Sequence, residues 1–452
     1  MPKVLFVAPS AYTLGGLAVW LDYLLPGLQR SGWETVLGLV SGPRFHLPAA
    51  YLAAHPCERW VPVHTETCTP EGRRRAVTAA LWECRPDLVV AVNLPDVYAA
   101  VGHLRRRRSW SPAAVMALHG LQADLLLDAR LYQGALDAVV ATNRLACALA
   151  TEVGRLPTER VFYAPCGVVA PGTRDATGDG GGQRPFTIAW SGRLEQDQKR
   201  VRDLPAIVQS LEAAGLAWQL RVAGTGPEEA WLRAHLEAPV RAGRVEFLGH
   251  VPSGRMASDL YAQADALLVT SVWETGPLVV WEALASGVPV VSSAYVGSGL
   301  EGALQDGHNS LLFRVGDTPG AVTALLRLAH NAALRATLRA NGRQLVRARY
   351  SLDASVAAWD QALRAVVELP GLEALPARSA VRPTGRLERC LGPSVAETLR
   401  VLMRRRWLAA EAGGEWPHSH SALSREEDAA FWQTALRLDC GDAAVKTGPA
   451  VG

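Results

Sequence analysis

Short apolar runs alternate with helix-length segments along most of this 452-residue chain, and a polar Gly- and Pro-rich stretch cuts the alternation in two. Residues 3–8, 35–40, 88–92, 115–118 and 138–141 have the length and β-branched content of buried strands. Helical segments fall between them, over 18–29, 73–84 and 144–153, and a run at 161–164 closes the series. Strands alternating with helices imply a parallel sheet covered on both faces. The break at 171–185 reads PGTRDATGDGGGQRP, a linker composition. Strand-like runs then resume at 186–190, 219–223, 245–248, 266–270, 288–291 and 310–313. The chain is therefore expected to fold as two doubly wound α/β domains facing a cleft, with a C-terminal helical extension. The boundaries expected are 1–170, a linker at 171–185, 186–350, and 351–452. Helices are expected there at 352–367 and 394–407; residues 410–452 carry no chemistry that can be assigned, and the last ten read as flexible.

Composition narrows the function. Half the residues are hydrophobic, which suits two separate cores rather than one. A net charge of +3 gives no bulk attraction to nucleic acid. Two arginine runs, Arg105–Arg108 and Arg404–Arg406, read as solvated helix ends or as a peripheral contact with an anionic membrane. No stretch of about 18 apolar residues is present, so no membrane span is expected. Seven cysteines, an odd number without metal-ligand spacing, read as reduced thiols. Residues 1–9 lack the features of a cleaved leader. A cytoplasmic protein is expected, with the inner membrane face as an allowed location.

The segment WETGPLVVWEALASGVPVVS, residues 273–292, carries the strongest chemical signal. Thr275, Gly276 and Pro277 turn the chain from a strand into an apolar helix starting at Leu278, with Pro277 expected in its first position and Gly287 after its last turn. Glu274 then sits at the mouth of a helix N-terminus, whose N–H groups suit a phosphate. Glu282, a carboxylate in an otherwise apolar helix, needs donors, and a ribose diol supplies two.

Other loops at strand ends add to this. Ser191-Gly192-Arg193-Leu194 and then Lys199 place a close-approach glycine and two cations in one loop, matched to a diphosphate or simply solvated. Gly224 and Gly226, in Ala-Gly-Thr-Gly-Pro, follow the next strand. Gly249-His250-Val251 follows another, offering backbone groups to a base or forming an ordinary loop. Gly15-Gly16 precedes the first helix without a dinucleotide fingerprint, and no phosphate loop of the GxxxxGK[ST] kind occurs. His119-Gly120 ends the strand at 115–118, where the histidine is either structural or a substrate contact.

Taken in order, these motifs resemble the retaining nucleotide-sugar glycosyltransferases of glycosyltransferase family 4. The likeness runs over about 4–367 and is strongest over 186–313. It implies the GT-B fold, two Rossmann-like domains, with a donor-binding C-terminal half and an acceptor-binding N-terminal half. It further implies that Glu282 holds the ribose, that Arg193 and Lys199 grip the diphosphate, and that Glu274 with the backbone at Thr275, Gly276, Leu278 and Val279 holds the sugar and β-phosphate. Gly192, Gly224, Gly226, His250 and Val251 line the nucleotide, while Gly16 and His119 approach from the opposite domain. Two departures stand out: Thr275-Gly276-Pro277 replaces a Phe-Gly pair, and the Arg-to-Lys interval is one residue longer. The implied reaction moves a sugar from a nucleoside diphosphate sugar to the hydroxyl of a glycan, a lipid-linked or a small-molecule acceptor. No DxD-type acidic pair stands where a metal could bridge the phosphates, so neither a metal nor another cofactor is expected. The alternatives are an inactive nucleotide-sugar-binding partner protein and another GT-B enzyme such as an epimerase or a glycan phosphorylase.

Overall fold

A strand that is apolar without alternation must be buried on both faces. That requirement builds two parallel sheets here. The computed structural model describes residues 1–11, 15–170, 184–372, 384–407 and 415–440. The chain divides into two units, Met1–Pro165 with Val356–Thr434, and Cys166–Ser355 with Ala435–Gly452. The stretch expected to form a separate extension thus contributes to both. The expected linker lies outside the described residues except for Arg184 and Pro185, as do the last ten residues.

The first unit begins β1 (Lys3–Pro9), α1 (Gly16–Arg30), β2 (Glu34–Ser41), α2 (Pro48–Ala54), β3 (Trp60–His64) and α3 (Pro70–Cys84). It continues β4 (Leu88–Val92), α4 (Asp96–Arg106), β5 (Ala113–Leu118), α5 (Ala123–Leu131), β6 (Ala138–Ala141), α6 (Arg144–Glu152) and β7 (Val161–Tyr163). All seven strands are parallel, in the order β3-β2-β1-β4-β5-β6-β7. Strand β3 was not expected. It is an edge strand with Pro62 inside and only Val63 buried, so it carries neither an apolar run nor clean alternation.

The second unit runs β8 (Phe186–Ser191), α7 (Leu204–Ala213), β9 (Trp218–Ala223), α8 (Glu229–His235), α9 (Glu237–Arg241) and β10 (Val245–Gly249). Then come α10 (Ser253–Asp259), β11 (Ala266–Val269), α11 (Leu278–Ala285), β12 (Val290–Ser293), β13 (Ser310–Phe313), α12 (Thr318–His330) and α13 (Ala332–Leu345). Its six parallel strands follow β10-β9-β8-β11-β12-β13. The order reverses between β8 and β11, so the loops leaving those two strands diverge and open a crevice at their carboxyl ends. One face of this sheet packs on Trp190, Trp218, Leu204 and Leu325. The other packs on Trp281 and Tyr350, whose rings stack at 3.8 Å.

Two local expectations shift. Pro277 is the N-cap of α11 rather than its first residue. Strand β12 starts at Val290 rather than 288, because Gly287 (φ +75°) turns left-handed and Val288 bonds back to the Ala283 carbonyl before the chain extends.

Three helices complete the chain: α14 (Leu352–Glu368), α15 (Arg386–Leu402) and α16 (Arg425–Cys440). The helix expected over 394–407 starts earlier, breaks at Gly392 and Pro393, and stops at Leu402. Helix α16 was not expected. In the first unit the C-terminal segment straps the carboxyl ends of the strands. Glu397 accepts from Thr67 and Thr69 beyond β3, and Trp416 donates to the Ser41 carbonyl of β2 (2.8 Å). His418 pairs with Asp124 (2.9 Å), and His420 lies 3.2 Å from Asp96, which also binds Arg73. All seven cysteines are free thiols. Among the described residues no helix is long and apolar enough to cross a membrane.

Candidate functional site

The loop after β8 is shaped by what it lacks. A Cβ on Gly224 would lie 1.9 Å from the Gly192 carbonyl oxygen, and its φ of +135° already disfavours any side chain. A Cβ on Gly226 would meet the Leu194 carbonyl at 2.3 Å. These two glycines let the β9 loop press against the β8 loop, where the Leu194 N–H bonds the Thr225 carbonyl (2.9 Å). From there Glu195, 8% exposed, accepts from the N–H groups of Gln198 (3.1 Å) and Lys199 (2.9 Å) and folds the loop back on itself. That turn carries the chain from Arg193 to Lys199.

The folded loop meets the one leaving β11. Lys199 Nζ donates to Glu274 Oε1, and Ser271 Oγ donates to the same oxygen (2.6 Å). Gln198 Nε2 donates to the Trp273 carbonyl (3.1 Å) and reaches Glu274 Oε2 at 3.4 Å. Two bonds to backbone carbonyls seal the contact: Val272 N–H to the Gln198 carbonyl (2.7 Å) and the Thr270 hydroxyl to the Lys199 carbonyl (2.6 Å). Glu274 is thereby fixed and nearly buried. Arg193 stands exposed on the same loop, and no carboxylate pairs with it among the described residues.

Past Gly276 (φ +149°), helix α11 begins with no side-chain cap. The N–H groups of Leu278 and Val279 find no acceptor among the described residues. A short run of free donors and a helix dipole therefore lies next to Glu274. Thr275, just before Gly276, is buried. Further along α11, Glu282 is half-buried, and Tyr261 Oη donates to it at 3.3 Å or to the Val279 carbonyl at 3.1 Å. Burial pushes the Glu282 carboxyl up to about 7. After β10, His250 is exposed while Val251 packs on the core beside α11.

The structure thus brings Lys199 and Glu274 into contact and sets Gly192, Arg193, Gly224, Gly226 and the start of α11 around the switch of the second sheet. Gly16 and His119 belong to the first unit. Gly16 opens α1, and His119 packs edge-on against Trp20 at 4.2 Å, where burial pushes its imidazole down to about 3 and keeps it neutral. Sequence reasoning missed Ser271, Gln198, Glu195 and Tyr261. Each serves another side chain or a loop, and only the nearness of Ser271 and Gln198 to the named residues could have pointed to them.

Residues 185–331 match the family model described as Glycosyl transferases group 1. The chain is 34% identical over 159 residues to the glycogen synthase of Thermus thermophilus, covering 35% of each chain. It is 32% identical to the lipopolysaccharide 1,6-galactosyltransferase of Escherichia coli K12, over 31% of this chain and 38% of that one. It spans about a third of the length of such curated relatives. The solved structure of Anabaena Alr3699/HepE in complex with UDP and glucose superimposes with a TM-score of 0.64 at 17% identity, over 80% of this chain and all of that one. The likeness establishes the fold, the two-sheet GT-B arrangement expected from the sequence.

Proposed function

We propose that this protein is a retaining glycosyltransferase of the family 4 kind, moving a sugar from a nucleoside diphosphate sugar to an acceptor hydroxyl. The observation that carries the reading is the joining of Lys199, Glu274, Arg193 and the uncapped start of α11 at one sheet switch. Each group suits one part of a donor. Glu282, offered by a half-buried helix face, accepts from the ribose hydroxyls. Arg193 and Lys199 take the diphosphate, with the Leu278 and Val279 N–H groups completing its cradle. Glu274 accepts from the sugar hydroxyls.

The chemistry follows from where charge develops. Breaking the anomeric C–O bond leaves an oxocarbenium-like centre and places negative charge on the leaving diphosphate. Fixed cations and N–H dipoles aimed at that charge lower the barrier, about 3 kcal/mol for one well-placed donor. Lys199 is the group best placed to respond, since it is held by Glu274 before the diphosphate arrives. Two cations can meet the leaving group's charge, so no metal is invoked. The departing phosphate oxygen takes the acceptor's proton on the face it leaves, which retains the anomeric configuration. The first unit, bearing Gly16 and His119, takes the acceptor: a glycan, a lipid-linked sugar or a small molecule.

The reading is supported by the family match over the second unit and by relatives whose names are those of sugar transferases. The test is an assay of UDP-, GDP-, ADP- and dTDP-hexoses with glycan acceptors, reading nucleoside diphosphate release and the product's anomeric configuration by NMR. Release with retention is expected. Inversion, or no release from any donor, contradicts it.

A further inference from the structure

We infer that Asp439, on the last turn of α16, is a positioning residue for Glu274. The inference rests on the donor role given to Glu274 above. After β12 the chain turns through residues 294–300, and three successive-turn N–H groups converge on one carboxylate. Gly297 donates to Asp439 Oδ2 at 2.7 Å, Gly299 to Oδ2 at 3.2 Å, and Leu300 to Oδ1 at 2.7 Å. Such a concave set of N–H groups binds anions, and here the chain supplies its own. The fit is close: a Cβ on Gly299 would lie 2.1 Å from the Asp439 carbonyl oxygen, and Gly297 adopts φ +104°.

The same loop carries the backbone of the donor site. Val296, one residue before the nest, accepts from the Glu274 N–H (3.1 Å) and donates to the Val272 carbonyl (2.8 Å). Residues 272–274 therefore lean on a loop whose next turn is closed by Asp439. Among the described residues no cation pairs with Asp439. Glu274 has Lys199 and Glu301 has Arg349 (2.8 Å), whereas Asp439 is held by backbone dipoles. Burial pushes the Tyr295 hydroxyl well above its ordinary range, and Glu274, Glu301 and Asp439 each add to the rise. Asp439 lies more than a hundred residues beyond the end of the family match.

The test compares wild type with Asp439→Ala and Asp439→Asn, the latter keeping one acceptor oxygen. Amide exchange is read over 271–276 and 295–300, and calorimetry reads affinity for UDP and for UDP-glucose. In Asp439→Ala exchange should rise in both segments. UDP-glucose should bind about tenfold more weakly, the worth of one hydrogen bond to a charged group, while UDP changes by less than about twofold. Asp439→Asn should fall between. Unchanged exchange over 271–276, or equal weakening of both ligands, would overturn the inference. If wild type bound neither ligand, a uridine donor would fall on its own, and the exchange data would still decide the role of Asp439.

Discussion

Lys199 donates to Glu274 across the switch between β8 and β11, and the two side chains are only 17% and 7% exposed. The lysine expected to grip a diphosphate is paired with the carboxylate expected to hold the sugar. Arg193, six residues earlier, has no such partner among the described residues and faces solvent. The two cations of one loop are therefore not equivalent.

That difference separates folding from function at Arg193. Arg193→Ala should change stability by no more than about 0.5 kcal/mol, as an exposed substitution does, while cutting turnover at least about a hundredfold. Lys199→Ala leaves Glu274 buried without its cation and should cost about 3 kcal/mol as well as activity. Thermal melts beside turnover measurements check both. Equal stability losses in the two variants would mean the Lys199–Glu274 pair does not exist in solution.

Glu282 gives a pH signature. Its folded pKa of about 7 lies above the ordinary 4.5, so folding takes up a proton between these values. The group stabilises the free protein at low pH, and that contribution is lost as pH rises through about 7. Ribose hydroxyls prefer the ionised carboxylate. Nucleotide affinity of wild type relative to Glu282→Gln should therefore rise between about pH 6 and about pH 8. Calorimetry on both proteins cancels the titration of the nucleotide itself, and parallel pH profiles would remove Glu282 from the ribose.

The glycine pair that joins the β8 and β9 loops tolerates no side chain. Gly224→Ala drives a methyl into the Gly192 carbonyl at a positive φ and should destabilise the fold by about 3 kcal/mol. Because the displaced loop carries Arg193, diphosphate binding should fall in the protein that remains folded. Gly254→Ala, where a Cβ meets nothing within 4 Å, is the neutral control. Urea unfolding of the two variants tests the contrast.

Metal removal tests whether the two cations suffice. Treatment with EDTA should leave turnover intact. Loss of turnover, restored by an added divalent cation, would contradict the charge assignment made to Arg193 and Lys199.

The sheets were legible because their strands are continuous apolar runs, and the α11 region because Thr275-Gly276-Pro277 and Gly287 punctuate it. Strand β3 was not, since an edge strand with Pro62 buries one side chain. Helix α16 hid for a similar reason: its buried apolar positions are Phe431 and Ala435, too few to show a period. Its start was nonetheless written in the sequence. Ser424 and Glu427 exchange N–H bonds as a capping box, at 3.2 and 2.9 Å. The candidate acids and bases could be named from loop position alone. Their pairing could not, because Lys199 reaches Glu274 only after Glu195 folds the intervening turn. Asp439 was beyond reach for the same reason, as its partners are backbone N–H groups 139 to 142 positions away.

The central claim is that the crevice at the β8–β11 switch holds a nucleoside diphosphate through Glu282 and Arg193. The most direct measurement is calorimetric titration of the intact protein with UDP, GDP, ADP and dTDP, repeated on Glu282→Ala. One of the four should bind wild type and bind the variant at least about tenfold more weakly, the loss expected for hydrogen bonds to a charged acceptor. Binding of none of them to wild type, or the same affinity in Glu282→Ala, would contradict it.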